Sequence, residues 1–398
     1  MFFFQTYIVS STLYIKNPIT IRGLTSSPYK RPTIRYKGET GNLTILKISD
    51  VLFSMFDVCI DGNSCTVKKT GNTPDTNKPT LYYGYYENIQ GVTGIEIDGS
   101  TYGSILENIH VIRCSKYGFK FGVFNIFSNL TSEYCNTGFY MTTDSTGLNL
   151  RANYCAIGYE VKGNAVQLSN IRADECVYHG ISIGTGLGIM ITNAILDQIG
   201  YSAIDINGSV HSSKVDCHVL RCGTYYYNNA FASVEDDEKW KSCAVSVRGV
   251  TYDVEINLLA SSNWDLADDG EVNKLKYGLI VNTSNGKIVS SIFNIKMANI
   301  RGDINYITTV DLDRWFCNLG IVKEAKINHP TNTLVYELED KTNEASEAIV
   351  TANGFRNATS DPRSTVGKVG TIVRYNNNVY ISTNDAYASW LKIPLSTN

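Results

Sequence analysis

Between residues 105 and 222 hydrophobic and polar positions recur as a short block, and no apolar run follows helical spacing. Cys114, Cys135, Cys155, Cys176 and Cys222 stand roughly 20 to 23 residues apart, with Ile199 in the one repeat that lacks a cysteine; this period belongs to solenoids. Six residues before each member comes Asn108, Asn129, Asn149, Asn170, Asn193 and finally Asp216. Ile109, Leu130, Leu150, Ile171, Ala194 and Cys217 follow directly. Val111, Ser132, Ala152, Ala173, Leu196 and Val219 lie two positions further on. Alternation at period two points both sets inward along a strand. Past the cysteine comes a small residue, Gly118, Gly138, Gly158, Gly180 or Ala203, and then a triplet such as Phe119-Lys120-Phe121, Tyr159-Glu160-Val161 or Ile204-Asp205-Ile206. Each triplet predicts a short strand whose middle residue faces water.

Several short strands per repeat, each stacked on its equivalent in the next, predict an all-β fold: a right-handed parallel β-helix that buries one continuous core. A propeller would need blades of about 40 residues. Asn tolerates left-handed backbone, and stacked amides bond from coil to coil, so the Asn series predicts a tight corner. The β-helix is expected over residues 1–300, with loop insertions near 63–90 and 224–243. Residues 301–398 are expected to form a β-rich region for trimerisation or carbohydrate binding, ending in a hairpin over 366–393, where Asn376-Asn377-Asn378 supplies turn chemistry. In-register cysteines are expected as free, apolar core fillers, because parallel side chains suit a disulfide dihedral poorly.

Composition narrows the function. A net charge of -3 with scattered Lys and Arg supplies no basic face, which argues against nucleic acid. No stretch of about 20 apolar residues predicts a membrane span, and the apolar Met1 to Ser10 lacks a basic n-region and cleavage site, so it reads as structure. No cofactor or metal is implied: CxxC pairs are absent and His is limited to 5, and the acidic segment from Trp264 to Glu271 departs from calcium-loop spacing. That segment and Glu235 to Glu238 read as solvated turns, with Tyr225-Tyr226-Tyr227 as a possible sugar-binding wall.

Chemistry concentrates in two outward columns on the strand before the cysteine. One reads His110, Thr131, Arg151, Arg172, Ile195, His218; the other reads Ile112, Glu133, Asn153, Asp174, Asp197, Leu220, with Glu175 and Gln198 following at the bend. Glycoside hydrolysis uses two carboxyl groups, about 5 Å apart for retention and about 6.5 to 9.5 Å for inversion. Coils stack about 4.8 Å apart, so Asp174 and Asp197 match the shorter spacing and Glu133 with Asp174 approaches the longer. The candidate catalytic set is therefore Asp174, Asp197, Glu133 and Glu175, with crowding expected to raise one pKa. Arg151 and Arg172, beside Asn153, are candidates to hold an acidic sugar. Tyr134, Tyr154, Tyr178 and Tyr201 offer flat faces to sugar rings, and His179 is a candidate for a neighbouring wall. The competing reading is that alternating charges simply stabilise the ladder.

The coils from Asn108-Ile109 through Cys114 and Gly118, repeated to Asp216-Cys217 and Cys222, resemble the pectate-lyase-like β-helix superfamily. Residues 6–15, followed by Ile19-Thr20-Ile21-Arg22-Gly23, are similar to the first coil of phage tailspike depolymerases. The resemblance spans roughly residues 5–300, and the segment from Val369 to Ile393 resembles the hairpin module that closes many tail-fibre proteins. It implies a homotrimer on the virion tail, attached to other tail proteins and made in the host cytoplasm without a signal peptide. Such a spike binds bacterial surface polysaccharide, capsular or other, and cleaves it by hydrolysis or by β-elimination at a uronate, with Arg172, Arg151, His or Tyr as base. A non-catalytic glycan-binding spike is the alternative. Polygalacturonase-type members carry paired Asp just before the coil glycine; Tyr178 and His179 stand there, so those roles do not transfer.

Overall fold

A computed structural model describes residues 2–261 apart from 4, 25–30, 39–41, 70–83, 89–90, 99–100, 102, 124, 221 and 224–242, and beyond 261 only strands. The described residues form strands and turns, with no helix. One coil comprises Tyr117–Phe121, Ile126–Ser128 and Thr131–Glu133; the next comprises Thr137–Met141, Thr146–Leu148 and Arg151–Asn153. Each strand pairs in parallel with its counterparts one coil away, as in Lys120↔Tyr140↔Glu160 and His110↔Thr131↔Arg151↔Arg172. The chain is thus a parallel β-helix, and parallel crossovers are almost always right-handed.

One sheet runs from Leu13–Ile15 to Tyr277–Val281; the other contains the two shorter strands of each coil and continues to Leu334–Glu337. Cys65–Lys69 and Gly84–Asn88 form an antiparallel arm. Ile372–Tyr375, Asn378–Ser382 and Trp390–Pro394 form an antiparallel set near the C-terminus. The tyrosine and acidic segments at 225–227, 235–238 and 264–271, and the turn at 376–377, lie outside the described residues.

Both inward columns are buried, from Ile109 and Leu130 to Leu196 and Val219. Asn108, Asn129, Asn149, Asn170 and Asn193 all take left-handed backbone, with φ between 52 and 55°. Asn149 donates to Asn129 at 3.0 Å and Asn170 to Asn149 at 3.3 Å, with Asn193 bonded to Asn170 in turn. The ladder extends below the predicted series, where Asn108 donates to Asp57, itself left-handed. Its upper end differs: Asp216 lies inside the straight strand Lys214–Leu220, so the corner is lost there.

The eight cysteines whose side chains are described are free and buried. Most of the column also has a polar task, since the thiols of Cys135, Cys155 and Cys222 donate to the carbonyls of Glu133, Asn153 and Leu220, two residues back, at 3.3 to 3.4 Å. An aliphatic residue fills the space and leaves that carbonyl to other donors. The small-residue column has a similar local cause: a Cβ on Gly158 would lie 2.6 Å from the Gly180 carbonyl oxygen and 2.9 Å from the Ala173 Cβ. Gly158→Ala is therefore expected to cost about 1–3 kcal/mol by overpacking, read as a lower thermal midpoint; an unchanged midpoint would mean that the coils slide apart freely.

Candidate functional site

The strands Thr131–Glu133, Arg151–Asn153, Arg172–Asp174 and Met190–Asp197 bring the predicted residues into register. Glu133, Asn153, Asp174 and Asp197 occupy one column, and Thr131, Arg151, Arg172 and Ile195 the other. They form a connected ladder. His110 Nε2 lies 3.2 Å from Glu133 Oε2, and Asn153 Nδ2 donates to Glu133 Oε1 at 2.9 Å. Arg151 donates to Asn153 through Nε at 3.0 Å and to Asp174 through a terminal nitrogen at 3.1 Å. Arg172 Nε donates to the Asp174 carboxylate at 2.7 Å, while a terminal nitrogen stands 4.0 Å from Asp197.

These partners change the expected chemistry. The neighbouring His110 imidazole, helped by the Asn153 amide and outweighing the upward push of burial, holds the Glu133 carboxyl below its usual range, whereas crowding was expected to raise one carboxyl of the set. A lowered carboxyl fits a base or nucleophile and not a proton donor at neutral pH. The bond to Asp174 raises the Arg172 guanidinium above its ordinary value, so its proton is held more firmly. Asn153 and Asp197 are buried, whereas Arg151 and Arg172 are exposed.

Immediately after this ladder the chain turns a second corner. Arg113, Tyr134, Tyr154, Glu175 and Gln198 have φ between 52 and 55°. The Tyr134 and Tyr154 rings stack at 5.0 Å and 6°. Burial, followed by the neighbouring Glu175 carboxylate, raises the Tyr154 hydroxyl, and Glu175 also hydrogen-bonds it. Tyr134, Tyr154 and Glu175 thus follow one another along the corner on the coils of Glu133, Asn153 and Asp174, with Asp197 one coil further on. Tyr178 and Tyr201 form a separate pair, centroids 5.0 Å apart at 41°.

His179 belongs elsewhere. It opens the strand His179–Ile183 of the other sheet and is buried, so it does not form an open wall. Its Nδ1 lies 3.1 Å from the Ser202 carbonyl oxygen and 3.0 Å from the Ser202 hydroxyl, and its Nε2 lies 3.8 Å from Asp205. Burial lowers its pKa, partly offset by Asp205. Asp205 is gripped by Arg248 through two bonds, the Nε contact being 2.8 Å, and accepts from Ser246 at 2.6 Å and Asn207 at 3.0 Å. Triplet centres were expected to face water; Lys120 does, but Ser182 in Ile181-Ser182-Ile183 and Asp205 are buried, as is Ser246 beside Asp205 on the next coil. The triplets showed Lys120, Tyr140, Glu160, Ser182 and Asp205 of this column; register adds Lys47 and Glu96 before them and Ser246 after, and the cover over the last members was not foreseen.

Among the described residues no group of three His, Cys, Asp or Glu could hold a metal ion, and no helix is long and apolar enough to cross a membrane. No protein-family model matches the chain, and no curated protein matches it by sequence. Among solved structures it is similar to the catalytic domain of a GH87 alpha-1,3-glucanase in complex with nigerose. Two such structures give TM-scores of 0.52 and 0.51 at 13% identity, covering 84% of this chain and 63% of theirs. The chain therefore spans less than two thirds of the glucanase domains it matches, and the likeness establishes the fold. It is also similar to the full-length tailspike protein 2 from Escherichia coli O157:H7 bacteriophage CAB120, with a TM-score of 0.44 at 13% identity over 73% of this chain and 38% of that one.

Proposed function

We propose that this β-helix binds a bacterial surface polysaccharide along its second corner and cleaves it by endo-glycosidic hydrolysis, in the manner of a tailspike depolymerase. The observation that carries the reading is the left-handed column Arg113, Tyr134, Tyr154, Glu175, Gln198. Left-handed backbone costs an ordinary L-residue about 1–2 kcal/mol, and the first corner of the same coils avoids most of that cost with asparagine. Rings, a carboxylate and an amide held at the second corner despite the strain suggest a task outside the fold.

The stacked Tyr134 and Tyr154 rings supply a platform for sugar rings. Asp174, oriented by Arg151 and Arg172, takes the role of nucleophile or base, and Asp197, one coil on, that of proton donor; Glu133 and Glu175 flank them. This reading includes the homotrimer and virion-tail location implied by the sequence resemblance. A second reading, a non-catalytic glycan-binding spike, is favoured by the two guanidiniums bonded to Asp174, which suit a structural ladder equally.

Tyr134→Asn with Tyr154→Asn tests the platform. Asparagine relieves the backbone strain while the ring stack of about 0.5–1.5 kcal/mol is lost, so the thermal midpoint should hold or rise. Polysaccharide affinity should fall at least about tenfold, as the loss of roughly 1 kcal/mol or more per stacked ring requires. Undiminished affinity with an intact fold would remove the corner from the binding site.

A further inference from the structure

We infer that the glycan served by this corner is neutral, carrying no carboxylate or phosphate where it crosses the ladder; the inference rests on the polysaccharide-binding reading above. Both described guanidiniums of the two ladder columns are already bonded to a carboxylate. Arg151 is bonded to Asn153 and Asp174, and Arg172 is bonded to Asp174 and stands 4.0 Å from Asp197. Arg113, at the start of the corner, is bonded to the buried Asp61 through Nε at 2.9 Å and a terminal nitrogen. The positive charge of Arg151 and Arg172 is thus already balanced by Asp174, and an anionic sugar reaching their remaining N–H groups would have to sit beside that carboxylate.

The carboxylates also outnumber the cations. Glu133, Asp174 with Glu175, and Asp197 fall on three of four consecutive coils, against Arg151 and Arg172. Coils repeat about every 4.8 Å, close to the length of one sugar unit, so a polyuronate laid along the corner would set like charge against like charge over several units. The flat, nearly parallel Tyr134 and Tyr154 rings suit apolar sugar faces and require no charge. β-Elimination needs a uronate, so the same geometry selects hydrolysis.

The test is binding of the full chain to a panel of purified bacterial capsular polysaccharides, with each uronate polymer also supplied after reduction of its carboxylates to alcohols. Neutral or reduced polymers should bind at least about tenfold more tightly than native uronate polymers. Their Kd should move less than about twofold between roughly 0.05 and 0.5 M salt, because no charge is being screened. A native uronate polymer that binds more tightly than its reduced form, or an affinity that collapses with salt, overturns the inference and leaves polysaccharide binding standing. Failure to bind any polymer overturns both.

Discussion

Asp174→Asn and Asp197→Asn should each lower depolymerisation about 10²–10⁴-fold, the range for loss of an acid, base or nucleophile, with polysaccharide affinity within about threefold of the parent. Asparagine keeps the shape and one acceptor oxygen at each site, so Arg172 retains a partner at position 174, where the carboxylate now accepts its Nε at 2.7 Å. Proton donation at 197 and attack or water activation at 174 would both be lost. Glu133→Gln should act more weakly, because Asn153 already bonds one of its oxygens and His110 stands 3.2 Å from the other. Chain length of the polymer and release of reducing ends are the readouts. Full depolymerisation by the Asp174→Asn/Asp197→Asn double variant would reject this pair, while binding without cleavage in the parent would favour the non-catalytic spike.

The first corner was legible because asparagine announces it. Its amide tolerates left-handed backbone and bonds to the next coil, so the same physical demand writes the same letter five times, from Asn108 to Asn193. The inward columns were legible for the same reason, since each coil must seal the same core. The second corner was foreseen only as a bend: Tyr134, Tyr154 and Glu175 carry no left-handed preference, so nothing local signals their φ. Pairing was half legible. Register put Asp174 beside Arg151 and Arg172 correctly, but which side-chain oxygens meet which nitrogens depends on rotamers, so the bonds from both guanidiniums to Asp174 were not legible. His179 was misplaced because its partners, Ser202, Asp205 and Arg248, lie one to two coils onward, across a segment with irregular spacing.

That displaced cluster carries the largest expected effect on stability. Burial alone would push the Asp205 carboxyl up, but the Arg248 guanidinium, His179 and the Ser246 hydroxyl outweigh it and hold the carboxyl below its ordinary value. A carboxyl lowered on folding adds stability that is complete above its unfolded pKa, near 3.9, and is lost as pH falls through the lower folded value. The parent should therefore lose this contribution only in acid below about pH 4. Asp205→Ala should cost roughly 3 kcal/mol at neutral pH, the low end for breaking a buried pair, because the Arg248 side chain is 31% exposed and recovers some solvation. Arg248→Gln removes the strongest partner and leaves burial to dominate, so its acid unfolding should begin at higher pH than the parent's. Denaturant titrations of the three proteins from neutral pH to about pH 3 would show this as diverging curves; parallel curves would mean that Asp205 is stabilised by its hydroxyl and amide partners alone.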